Sequence, residues 1–253
     1  MKRTMKNIVK PGSITLGFGL MLTTLCYGQA VSYSTYTGPS HNVIYWDGDP
    51  NTVQTLASSA YTDVILGFLL PDQNCNLYWE GGMPGSTPAG LANMIQTLHN
   101  TGKTVLVSLG GSDAQSSSYA ACANSNMRFL EIQLNNIVTG NSTIGPQGAA
   151  FDGLDIDFED TAAFNSGSAY DGVNFLTQLT NDLSTGGPAA LPQWSIITHA
   201  PQPPYWTQNY QYQNPPYAQI FWNTNNNISW FNNQTYNNCL TGNLQWIAMH
   251  SRR

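Results

Sequence analysis

The sequence predicts an α/β fold of the (β/α)8 barrel type, and three observations carry that prediction. Short β-branched or aromatic runs alternate with segments of helical apolar spacing, which implies parallel strands joined by βαβ crossovers. The strands are apolar almost throughout, as strands buried on both faces are. No glycine-rich phosphate-binding turn follows the first strand, which argues against a doubly wound dinucleotide fold.

The elements follow in chain order. "NVIYW" (42–46), "DVILGFLL" (63–70) and "KTVLVSLGG" (103–111) read as the first three strands. "FDGLDIDFE" (151–159), "WSIITHAP" (194–201) and "ISWFNNQTY" (228–236) read as the next three, each bounded by Gly, Pro, Asn or Asp. Helical spacing predicts helices over 91–102, over 125–140 with Ser125 or Asn126 as a cap, and over 170–183. The proline-rich "APQPPYW" and the Asn-, Gln- and Tyr-rich run 207–227 read as a long loop on the active face.

Charge is scarce and uneven. Only 9% of residues are charged, against about 25% in ordinary soluble proteins. Of the eight basic residues, Lys2, Arg3, Lys6 and Lys10 lie at one end and Arg252 and Arg253 at the other. Lys103 and Arg128 alone face the fourteen acids between. An acidic body without a basic patch argues against nucleic-acid binding, which depends on Lys and Arg neutralising phosphates. A neutral, amide- and hydroxyl-rich surface suits an uncharged, hydroxyl-rich ligand such as a carbohydrate.

The terminal bases have their own explanation. "MKRTMKNIVK" is a basic region, "ITLGFGLMLTTLC" an apolar one, and "CYGQA" offers small residues for cleavage. A secretory signal peptide is expected over 1–30, leaving 31–253 as a secreted, monomeric domain with no membrane span. Export would leave Cys75, Cys122 and Cys239 in an oxidising compartment, enough for one disulfide and one unpaired thiol. His41, His99, His199 and His250 are scattered singly and read as structural or solvated, so no metal and no cofactor are expected.

"FDGLDIDFED" (151–160) concentrates five of the fourteen acids in ten positions. In a strand, Asp155, Asp157 and Glu159 share one face, while Leu154, Ile156 and Phe158 share the other. Asp152 falls out of phase near the strand entrance, and Asp160 is expected to meet solvent. Inside a barrel the three inward carboxyls climb to the C-terminal mouth, where such barrels place their chemistry. They cannot all ionise cheaply, so some pKa values must rise. A protonated outermost member, Glu159, is what general-acid catalysis requires. The alternatives, a calcium site or a solvated acidic edge, are disfavoured, because bulky Leu, Ile and Phe stand where calcium loops need turn formers and a solvated edge needs no such apolar partners.

These residues resemble a known family. Asp152-x-x-Asp155-x-Asp157-x-Glu159 is similar to the DxxDxDxE signature of family 18 glycoside hydrolases, the chitinases and endo-β-N-acetylglucosaminidases. Ser108-Leu109-Gly110-Gly111 resembles the SxGG motif of that family's third strand. Tyr45-Trp46, Ala200-Pro201-Gln202 and "NQTYNN" (233–238) resemble first-, fifth- and sixth-strand motifs of plant class III and fungal chitinases.

The resemblance implies a retaining, substrate-assisted hydrolysis of β-1,4-linked N-acetylglucosamine in chitin or its oligosaccharides. Glu159 would be the acid, and the substrate's acetamido oxygen would be the nucleophile. Asp157 would orient the acetamide, Asp155 would share its proton, and Tyr236 would donate its hydroxyl. Tyr45, Gln202, Gln234 and Asn237 would bind substrate. Tyr205 and Trp206 are further candidates for stacking on sugar rings, whereas Trp46 and Phe68 read as core. Gly110 and Gly111 read as backbone geometry rather than substrate contacts, and a bridge between Cys75 and Cys122 is conceivable.

The pattern departs from the family after Asn238, where no seventh or eighth strand is recognisable in "CLTGNLQWIAMHSRR". A barrel lacking its last one or two βα units is expected in this chain, with weakened activity. Two other readings stand beside the chitinase: an endo-β-N-acetylglucosaminidase acting on N-glycans, and an inactive, lectin-like chitin binder.

Overall fold

The structure, a computed structural model, describes residues 40–185, 189–207 and 214–235. The expected signal peptide (1–30) and Tyr236, Asn237, Cys239 and His250 lie outside these residues.

One sheet contains β1 (Val43–Trp46), β2 (Asp63–Pro71), β3 (Leu77–Trp79), β4 (Thr104–Gly110), β5 (Gly153–Asp157), β6 (Ile196–His199) and β7 (Trp230–Phe231). All except β3 are parallel and lie in the order β1-β2-β4-β5-β6-β7. β3 folds back antiparallel on the end of β2. The order never reverses, so successive crossovers step in one direction. Right-handed crossovers then put the helices on one face, which is barrel winding rather than the two-faced winding of an open doubly wound sheet.

The sheet is curled, and two contacts measure it. A flat sheet separates β1 from β5 by three strand spacings of about 4.8 Å each. Yet the Tyr45 hydroxyl on β1 lies 3.0 Å from Asp155 Oδ2 on β5. At the sheet's two parallel edges, the rings of His41, just before β1, and Trp230 on β7 stack with centroids 3.8 Å apart.

The helices are α1 (Val53–Ala57), α2 (Pro88–His99), α3 (Ser116–Ala121), α4 (Met127–Val138), α5 (Gly172–Ser184) and α6 (Pro216–Asn223). Thr87 caps α2 by accepting from Gly90 N at 3.0 Å, with Pro88 at the first helical position. Asp171 caps α5 through Asn174 N at 3.0 Å. Their apolar faces, including Leu91, Ile95 and Leu98 of α2 and Leu176, Leu179 and Leu183 of α5, are buried in the core with the sheet.

Several elements differ from the sequence expectation. The helix expected over 125–140 begins only at Met127, and Asn126 makes no side-chain cap. Ahead of it lie α3 and a single π-helical turn, Cys122–Asn126. The run expected to be one long loop contains a short helical turn at Pro203–Trp206 and the proline-led helix α6. The last expected strand is reduced to Trp230–Phe231, although beyond it Asn232 N and Gln234 N still donate to the His199 and Pro201 carbonyls at 2.8 and 3.0 Å. Cys75 and Cys122 form a disulfide with Cα atoms 5.1 Å apart, tying the β2–β3 turn to the end of α3.

Candidate active site

The strand register builds the site row by row. Ser108 of β4, Asp155 of β5 and Thr198 of β6 are in-register partners, so their side chains project from the same face. Two residues higher, Asp157 pairs with Gly110 at the strand ends, and Glu159 follows beyond the ladder.

Asp155 is fully buried and makes four side-chain hydrogen bonds. Thr198 Oγ1 at 2.6 Å and Asn232 Nδ2 at 3.0 Å donate to Oδ1. Ser108 Oγ at 2.8 Å and the Tyr45 hydroxyl at 3.0 Å donate to Oδ2. Burial pushes this carboxyl up from the ordinary aspartate range, and the four donors oppose the rise by favouring the charged form.

Asp157 is 5% exposed, and its carboxyl is pushed up to about 8. Burial is the largest cause, followed by the charges of Asp155 and Glu159, with the Gln234 amide acting the other way. At neutral pH the middle carboxyl therefore holds a proton. Glu159 is half-buried and is also raised by burial, again opposed by Gln234. Gln234 Nε2 donates to Asp157 Oδ1 at 2.5 Å, to the Ala200 carbonyl at 3.0 Å and, at the 3.5 Å limit, to Glu159 Oε1. The column is thus a graded set: a four-donor carboxyl at the bottom, a proton-holding one in the middle and an accessible one at the rim.

Two glycines let the column sit against β4. A Cβ on Gly110 (φ +124°) would fall 1.9 Å from the Asp157 carbonyl, and one on Gly111 (φ +87°) would meet the Phe68 ring at 3.0 Å. Gly111 N–H donates to that same Asp157 carbonyl at 2.8 Å, which ends the β5 ladder there.

The structure brings together Tyr45, Asp155, Asp157, Glu159 and Gln234. Tyr45 is 37% exposed, so its ring is open while its hydroxyl is committed to Asp155. Gln202 stands apart: half-buried after β6, its carbonyl accepts from Tyr205 N at 3.0 Å, and its side chain bonds to none of the three carboxyls. Tyr236 and Asn237 fall outside the described residues.

Three expectations, for Tyr205 and Trp206, for Phe68 and for Asp160, are corrected. Tyr205 and Trp206 are buried among aromatic rings and cannot stack on a sugar. Phe68, expected in the core, is half-buried with its ring 6.0 Å from that of Tyr45. Asp160 does not meet solvent; it is buried and accepts the Tyr170 hydroxyl at 2.7 Å. Asp152 fastens the scaffold, bonding His99 Nε2 at 2.9 Å and Val105 N at 2.7 Å. His199 is buried against Thr180 Oγ1, at 3.0 Å, and Tyr217, and burial drops its pKa to about 3.

Thr198 and Asn232 are site residues that the sequence did not announce, and Ser108 had no expected role beyond its motif. A polar residue at the inward phase of an apolar strand, as Thr198 is in "SIITHA", is the signal that could have found one of them.

The family model described as glycosyl hydrolases family 18 matches residues 41–243. The chain belongs to glycoside hydrolase family 18. A family 18 chitinase from Pseudoalteromonas aurantia is similar over 79% of this chain and 69% of its own, with 30% identity and a TM-score of 0.66. A family 18 chitinase from Chromobacterium violaceum shares 21% identity over 78% of this chain and 51% of its own, with a TM-score of 0.55. A xylanase-A-amylase inhibitor protein has the same fold at 21% identity, over 85% of this chain and 74% of its own, with a TM-score of 0.52. The family 18 chain here thus spans between half and three quarters of the length of these structures. No curated protein matches it. The (β/α)8 barrel is the fold of this family, and the six parallel strands described are its first six.

Proposed function

We propose that this family 18 chain is a secreted chitinase, cleaving β-1,4-linked N-acetylglucosamine with retention by substrate-assisted catalysis. The observation that carries the reading is the graded carboxyl column. Glu159, raised and accessible at the rim, protonates the glycosidic oxygen as the C–O bond breaks. The substrate's acetamido oxygen bonds to the anomeric carbon, forming an oxazolinium ion. Water then opens that ion and returns a proton through Glu159.

Asp157, protonated at neutral pH, is placed to hydrogen-bond the acetamide and, by releasing its proton toward Asp155, to face the developing positive charge. Gln234 holds Asp157 and Glu159 in mutual register. Tyr45 offers an open ring to a sugar, and Tyr236, Gln202 and Asn237 complete the substrate contacts that the family's motifs imply. The Cys75–Cys122 bridge supports an oxidising, extracellular setting.

Incubating the full chain with chitotetraose, and separately with a high-mannose glycoprotein, tests the substrate class. Shorter N-acetylglucosamine oligomers from the first and an intact glycoprotein support the chitinase. Release of the glycan would favour an endo-β-N-acetylglucosaminidase, and binding without any product a lectin-like protein.

A further inference from the structure

Glu159 is weakly held by its own side chain, whose hydrogen bond to Gln234 is at the 3.5 Å limit. Its main chain is held instead from both sides. On one side Phe158 is fully buried against the rings of Tyr119, Phe164 and Phe175, at centroid distances of 5.0, 5.4 and 6.1 Å. On the other side Thr161 N donates to the Glu159 carbonyl at 2.9 Å, and Asp160 turns inward to accept the Tyr170 hydroxyl at 2.7 Å. Tyr170 is itself buried, edge-on to Phe175 of α5 at 5.8 Å, one residue before the Asp171 cap of that helix. The segment is pinned once more where Asn124 Nδ2 donates to the Ala169 carbonyl at 3.1 Å.

A carboxyl in this position is unexpected on charge grounds. The residue after Glu159 would be solvated if its only task were to leave the strand, and burying Asp160 beside an acidic column is unfavourable without a compensating contact. The Tyr170 hydroxyl is that contact.

We infer that Asp160 and Tyr170 form a positioning lock for Glu159, fastening the acid's main chain to the start of α5; the inference rests on Glu159 being the general acid. Neither residue touches the column's carboxyls in the described hydrogen bonds, so both act through Glu159 rather than on substrate.

The full chain with Tyr170→Phe, which removes one oxygen atom, tests the lock. Turnover of chitotetraose should fall about tenfold or more, with KM within about twofold, since a bond of this kind controls geometry rather than binding. Asp160→Ala should match it, and the double variant should lose no more than either single one. Asp160→Asn, whose amide carbonyl can still accept the phenol, should recover most of the rate.

An independent readout needs no turnover. The chain has only three glutamates, Glu80, Glu131 and Glu159, so carboxyl-¹³C-glutamate labelling isolates Glu159 by NMR. Asp157 and Tyr119 are the titratable groups it influences electrostatically, and Gln234 is its hydrogen-bond partner. Loss of the lock should expose half-buried Glu159 further and move its titration midpoint down toward the ordinary range. A lower melting temperature with unchanged turnover and unchanged titration would overturn the lock. Should the wild-type chain fail to cleave chitotetraose, the hydrolase reading fails separately, and the carboxyl titration of the variants still decides the lock.

Discussion

Gln234 Nε2 donates to Asp157 Oδ1 at 2.5 Å and reaches Glu159 Oε1 at 3.5 Å, so one amide spans the two upper carboxyls of the column. In both it favours the charged form, against the burial that favours the neutral one. Replacing it with leucine should raise both pKa values. The alkaline limb of the pH–rate profile, which reports ionisation of the acid, should then move to higher pH. Turnover should fall about tenfold or more as the two carboxyls lose their shared restraint. Steady-state kinetics across pH on Gln234→Leu checks both.

The middle carboxyl makes stability depend on pH with a definite sign. Asp157 is pushed up to about 8 in the fold, from an ordinary 3.8. A raised carboxyl favours the folded state while protonated, so its contribution is full below about 4. It is lost progressively as the pH climbs to about 8, at up to about 1.4 kcal/mol per pH unit. Asp157→Asn should flatten that decline and become more stable than wild type at pH 9. Thermal melts of both proteins from pH 4 to 9 measure it.

Two buried hydroxyls beside the column should respond in opposite directions. Among the described residues the buried Tyr119 hydroxyl has no hydrogen-bond partner, whereas Ser108 Oγ donates to Asp155 at 2.8 Å. Tyr119→Phe removes only an unsatisfied group, so stability should hold or rise by up to about 1 kcal/mol. Ser108→Ala strips a donor from a buried carboxyl and should cost about 1.5–3 kcal/mol. Urea unfolding of the two variants compares them.

The Cys75–Cys122 bridge closes a sequence separation of 47 residues. Loop-closure entropy assigns such a bridge about 4 kcal/mol. Replacing both cysteines by serine should lower the unfolding free energy by an amount of that order, read from the same urea titrations.

The column was legible in the sequence because strand periodicity alone places Asp155, Asp157 and Glu159 on one face. The parallel winding was legible because apolar runs alternate with helical ones. What surrounds the column was not. Tyr45 and Asn232 reach Asp155 only because the sheet curls, a long-range property that no local spacing encodes. Tyr205 and Trp206 looked like sugar platforms because they are aromatic beside a strand end, but ring packing with Tyr217 and Phe231 takes them inside. Asp160 looked solvated because nothing in its neighbourhood announces a partner ten residues on. The hairpin strand β3 escaped because three residues are too few for a period to show.

In the proposed reaction Glu159 is the acid and the substrate's own acetamide is the nucleophile. Following the anomeric configuration of the first products from chitotetraose by proton NMR, with wild type and Glu159→Gln, tests both parts at once. Wild type should give β-anomeric product at first, and the variant's turnover should be at least about a hundredfold lower. An initial α-anomer, or a Glu159→Gln variant as fast as wild type, would contradict the proposed reaction.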